Sequence, residues 1–217
     1  MAESHQEGRR PQATGWCFVP DEGGRARRPA NGFWLLFGLL LVFVTAIGSE
    51  QTTWLSDLIS DLVALFPSWL DVGLVVLYAV GFVYAVVIVI AAIVERATKG
   101  DLIRDLLTAI GFSLVLVFVL AWLVSGTWPI LAPELWSPES PVFPVARIAV
   151  VTAVLVVAGP YLVLPLRRLS WFIVGALFFI AVALEYGLPV DAVGGLGVGV
   201  VAANTVLLIF GSARGFP

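Results

Sequence analysis

The sequence predicts an all-α protein, a polytopic membrane bundle of six transmembrane helices plus one amphipathic helix lying in the interface. Three observations predict it. Of 217 residues, 60% are hydrophobic and 12% charged, and the mean hydropathy is +1.01, a balance too apolar for a water-soluble domain. Apolar runs of about twenty residues, the length that carries a helix through a hydrocarbon core, recur from Asn31 to Gly211. The Lys and Arg residues fall in alternate connections, as retention of positive charge on the cytoplasmic side requires.

Residues 1–31 mix Gly, Pro, Arg and Glu with few apolar side chains, so they bury too little surface to offset chain entropy and are expected to form a disordered tail. A cleaved secretory signal is not expected: the first apolar run starts too far in, and its exit, Val44 to Gly48, lacks a small-residue cleavage pattern. The first span is placed at 33–49. In the following Trp54 to Phe66 segment, Leu55, Leu58, Ile59, Leu62 and Phe66 recur at helical spacing against Ser56, Asp57, Ser60 and Asp61, the pattern of a helix lying flat in the interface. The remaining spans are placed at 72–94, 102–125, 143–165, 169–187 and 191–211. Pro160, inside the fourth, is expected to kink it and free a carbonyl that a neighbour covers. The sixth opens with Gly194, Gly195, Gly197 and Gly199, and the Gly195/Gly199 pair lets another helix of the bundle approach closely. The chain thus divides into the tail (1–31), a membrane domain (32–211) and a cytoplasmic linker stub (212–217).

Arg9, Arg10, Arg25, Arg27 and Arg28 precede the first span; Arg96, Lys99 and Arg104 cluster between the second and third. Arg167 and Arg168 separate the fourth and fifth, and Arg214 follows the sixth. With six spans all eleven are cytoplasmic, as are both termini, in a plasma (cytoplasmic) membrane. The other side carries acids, among them Glu50, Asp71, Glu134, Glu185 and Asp191, and one basic exception, Arg147. A net charge of −3 gives no basic surface for nucleic acid. The lone cysteine, Cys17, has no partner for an intrachain disulfide. No Cys or His cluster suits a metal and no Gly-Lys-Ser/Thr loop suits a nucleotide, so no cofactor is expected. Acids are missing from the span centres, which argues against an ion pump or channel.

Three short outer segments carry further information. Gly187-Leu188-Pro189-Val190-Asp191-Ala192-Val193-Gly194-Gly195 opens the sixth span, Phe143-Pro144-Val145-Ala146-Arg147 opens the fourth, and Trp128-Pro129 follows the third. In order and spacing they resemble the three signature motifs of the type 2 phosphatidic acid phosphatase superfamily. That family's third motif is Arg, five residues, His, three residues, Asp, then Gly-Gly. Asp191, Gly194 and Gly195 match, while the His position holds Gly187 and the Arg position Ala181. The second motif, Pro-Ser-Gly-His, retains its Phe-Pro and holds Arg147 at the His position. The first, Lys, six residues, Arg-Pro, retains only its proline, with Ala121 and Trp128 replacing Lys and Arg.

In that family one His attacks phosphorus, a second protonates the leaving alkoxide, Asp orients a His, and Lys and Arg neutralise the phosphoryl oxygens. The only histidine here is His5, in the tail, so this mechanism is excluded by inventory and the resemblance implies a degenerate, non-catalytic relative. The chain also resembles the N-terminal membrane region of actinobacterial lysylphosphatidylglycerol-synthase-like, flippase-like proteins, through Pro160-Tyr161 to Arg168, Pro189 to Gly195 and the closing Phe210 to Pro217. Its ending in Gly215-Phe216-Pro217 reads as a linker to a further membrane domain.

Arg147 has two readings. It reaches to the interface or pairs with Asp191 or Glu185; or its guanidinium forks onto a lipid phosphate in the former cleft, with Asp191, Glu185 and Trp128 beside it. Asp191 can also cap the start of the sixth helix. The expected function is a non-catalytic module that binds envelope lipid phosphate or docks a partner membrane protein, with a role in lipid transport. The alternative is a structural subunit of a membrane complex; a second alternative, a lipid phosphatase, requires a different mechanism or another chain to supply the chemistry.

Overall fold

The computed structural model describes residues 17–18, 25–48, 69–125, 143–183 and 189–213. Lipid offers the backbone no hydrogen bonds, so a chain this apolar satisfies its amides within helices. The fold is all-α: among the described residues six helices form, α1 (Pro29–Gly48), α2 (Trp69–Val94), α3 (Arg96–Ser125), α4 (Ala146–Ala158), α5 (Leu164–Ala183) and α6 (Pro189–Phe210). One pair of two-residue strands, β1 (Arg25–Ala26) and β2 (Ser212–Ala213), runs antiparallel. Pro29 and Pro189 open their helices, where the missing N–H has no intrahelical partner to lose. Gly211, at φ +79°, ends α6 in the left-handed conformation that a side chain would strain.

Among the described residues four segments, Pro29–Gly48, Gly73–Val94, Gly100–Val124 and Val190–Phe210, are long and apolar enough to cross a membrane. This falls short of the six spans expected from hydropathy. The fourth helix has 13 residues instead of the twenty or so expected, a rise of about 20 Å against a hydrocarbon core of about 30 Å. The fifth begins earlier, at Leu164, and so includes Arg167 and Arg168. Pro160 does not kink the fourth helix but follows its end: Gly159 N–H donates to Leu155 O (3.0 Å), and the Tyr161 and Leu162 N–H groups both donate to Ala158 O (2.8 and 3.1 Å). A proline cannot supply the next N–H of the ladder, so the helix closes in a turn. The interfacial helix expected over Trp54 to Phe66 lies outside the described residues.

The centre of the bundle is α6. Its span is 67% buried, against 17–22% for the other three long apolar segments. Beside it lies α4, with eleven of its 13 residues buried, as expected of a helix apolar on every side. The two run parallel in unusually close register: a Cβ on Gly195 would stand 2.6 Å from Val145 O, and one on Gly199 2.5 Å from Ala149 O and 2.6 Å from Thr152 Cβ. On its other flank α6 meets α1 antiparallel, with Gly38 against Val201 and Gly197 against Val42. The glycine stripe is therefore used within the chain. Outward faces of α1, α2 and α5 expose Phe33, Leu36, Phe43, Val94 and Phe172, a surface that hydrocarbon, not water, accommodates.

Two pieces of the tail expected to be disordered are packed on this bundle. Phe18, 2% exposed, bridges Leu162, and Cys17 O accepts the Val163 N–H at 3.2 Å. Arg25–Ala26 pairs with Ser212–Ala213, and Ser212 Oγ donates to Ala26 O at 3.2 Å.

Gly199→Ala is expected to destabilise the protein by about 1–3 kcal/mol through overpacking against rigid backbone. Gly175→Ala in α5, where a Cβ meets nothing within 4 Å, is expected to be neutral or stabilising by up to about 1 kcal/mol. Thermal unfolding in detergent micelles compares them.

Candidate functional site

At one end of the bundle the first residues of α4 and α6 meet. Val145 N–H donates to Asp191 O at 3.4 Å, and Phe143, 8% exposed, lies so close over Gly194 that a Cβ there would collide with its ring. The two segments set together from the sequence, Phe143 to Arg147 and Asp191 to Gly195, are thus in contact. Asp191 is buried in the first turn of α6, where free N–H groups favour negative charge. Glu185 and Trp128 lie outside the described residues.

Arg147 lies against two aromatic rings of α2, and its expected pairing with Glu185 falls on a residue outside the described ones. Its Cζ lies 4.9 Å from the Tyr78 ring centroid and 5.0 Å from that of Phe82, and among the described residues it has no carboxylate partner. Tyr78 and Phe82 stand one turn apart on α2, so both rings face α4. Such cation–π contacts contribute from about 0.5 kcal/mol when exposed to about 2 kcal/mol when desolvated. They leave the in-plane N–H groups unsatisfied, and the buried Arg147 Nε has no hydrogen-bond acceptor. The i, i+4 aromatic pair was the sequence signal for this arrangement.

The opposite end holds a charged group that sequence reasoning missed. Asp105, on α3 and 0% exposed, is met by two arginines. Arg25 Nη1 donates to Asp105 Oδ1 at 3.4 Å and to Phe210 O at 3.1 Å, while its Nη2 pairs with Asp105 Oδ2 at 3.1 Å and Asp101 Oδ2 at 3.3 Å. Arg104 Nη2 donates to Asp105 Oδ1 at 3.1 Å, with its Cζ 4.2 Å above the Phe210 ring. Tyr161 Oη reaches Asp105 Oδ2 at a long 3.5 Å. Burial acts against the Arg25 charge, but Tyr161 and the Asp105 and Asp101 carboxylates outweigh it and hold the guanidinium above its usual range. One carboxylate thereby joins β1, α3, the turn after α4 and the end of α6. With every charge partnered, this cluster is suited to closing the bundle, not to chemistry.

No protein-family model matches the chain, and neither does any curated protein or solved structure.

Asp105→Ala leaves the largely buried Arg25 guanidinium with the exposed Asp101 as its remaining carboxylate and is expected to cost about 3–5 kcal/mol. Removing Arg104, whose side chain is 47% exposed, is expected to cost no more than about 1 kcal/mol. Unfolding midpoints of the two variants give the contrast, and equal losses would contradict this assignment.

Proposed function

We propose that the chain is a non-catalytic integral membrane module that binds the phosphate of a membrane lipid at the Arg147 end. The supporting observation is the guanidinium itself, which is braced by two aromatic faces, lacks a carboxylate among the described residues, and carries a buried Nε without an acceptor. A buried donor in that state calls for an anion or a water, and a phosphate oxygen suits the guanidinium fork. The resemblance of Phe143 to Arg147 and Asp191 to Gly195 to a degenerate phosphatase cleft agrees with this reading, and the contact between the two segments supports it.

In the same proposal all six helices cross the plasma membrane with both termini cytoplasmic, so that Arg147 faces outward. The short α4 is compatible with this because it is flanked by non-helical residues buried in protein, Phe143 and Pro144 before it and Tyr161 and Leu162 after it. Irregular backbone is tolerated at membrane depth when protein covers it. A second reading is favoured by the same rings: Arg147 serves only to brace α4 against α2, as in a structural subunit that holds a partner membrane protein.

Arg147→Ala is expected to weaken binding of an anionic phospholipid to purified protein about tenfold or more, as loss of a charge-assisted hydrogen bond implies, with Arg147→Lys intermediate. Lipid retention measured by native mass spectrometry decides between the readings. Unchanged retention with lowered thermal stability would select the bracing role.

A further inference from the structure

A separate cavity of about 360 Å³ opens between α1, α4, α5 and α6, reaching the end of the bundle opposite Arg147. Its composition is ordered by depth. Arg28, just before α1, and Arg167, in the first turns of α5, are both exposed and contribute to its lining. Asn31 follows one turn further along α1, and Trp34 and Trp171 stand beyond it on the two helices, their ring centroids 6.4 Å apart. The inner wall is apolar, formed by buried Leu155, Val174, Val200 and Leu207. Among the described residues no acidic side chain lines the cavity.

Asn31 is the informative residue. It is 8% exposed, its backbone N–H is taken by Arg28 O at 3.0 Å, and its side-chain Nδ2 has no hydrogen-bond partner. Asn204, also in the wall, is satisfied by Val200 O at 2.8 Å. The cavity therefore presents one unsatisfied amide donor between a cationic rim and an apolar interior. At about 1.5 Å of rise per helical residue, Asn31 lies about 4–5 Å and Trp34 about 9 Å deeper than Arg28.

We propose that this cavity binds one anionic phospholipid, independently of the Arg147 site. The order along α1 repeats the order of groups along such a lipid. Its phosphate meets Arg28 and Arg167, an ester carbonyl oxygen accepts from Asn31 Nδ2, and one acyl chain passes alongside the Trp34/Trp171 pair onto Val174 and Val200. Paired tryptophans at this depth are the usual occupants of the membrane interface, and arginines at the rim select an anionic headgroup over a zwitterionic one. The volume lies near the lower end of the roughly 300–1,000 Å³ common for ligand pockets, which suits a single chain.

The tryptophans also supply the test. The full-length protein is reconstituted in vesicles whose phosphatidylglycerol or, in parallel, phosphatidylcholine carries brominated acyl chains, and fluorescence quenching is compared. Wild type is expected to show an excess of quenching by phosphatidylglycerol, which disappears in Trp34→Phe/Trp171→Phe. Arg28→Ala/Arg167→Ala is expected to reduce the phosphatidylglycerol preference about tenfold, while Arg28→Lys/Arg167→Lys keeps most of it. Equal quenching by the two lipids in wild type, or a full excess in either the double alanine or the double phenylalanine variant, would overturn the proposal.

Discussion

Everything in this bundle is arranged around the near-contact of α4 and α6. Gly195 and Gly199 bring the α6 backbone within side-chain-free distance of Val145 O and Ala149 O, and no other residue type permits that approach. In lipid, helices gain nothing by hiding apolar surface from apolar surroundings, so association depends on such close packing. Once α4 and α6 are joined, the remaining helices have a face to dock on: α1 takes the Gly197 side of α6, and α3 and α5 flank α4.

The two ends of this pair treat positive charge in opposite ways. Arg25 and Arg104 converge on the Asp105 carboxylate, which has no solvent exposure, and on Asp101 beside it, so their charge is neutralised within the protein. Arg147 is held by the faces of Tyr78 and Phe82, which stabilise a cation without cancelling it. A neutralised cluster closes a structure, whereas an uncancelled cation retains affinity for an anion. This difference is why the first group is assigned to integrity and the second to binding.

Sequence reasoning reached the long helices because hydropathy reports the length that lipid demands. It overran the end of α4, since the apolar run continues through Tyr161 to Leu166 and composition does not register where a ladder of hydrogen bonds stops; Gly159 and Pro160 carried that signal. The glycines at Gly195 and Gly199 were legible because small residues four apart have a single steric meaning. The ordered pieces of the tail were not: Phe18 and Arg25 gain their places from Leu162, Asp105 and Phe210, and no local pattern encodes partners so distant. Arg147 was singled out as a positive charge among segments otherwise expected to carry acids, but its aromatic partners belong to a helix whose pattern is otherwise uniformly apolar.

The clasp of Arg25 on Phe210 O spans 185 residues. Together with the packing of α1 on α6, it means that α1 gains its principal neighbour only after α2 to α5 have been made.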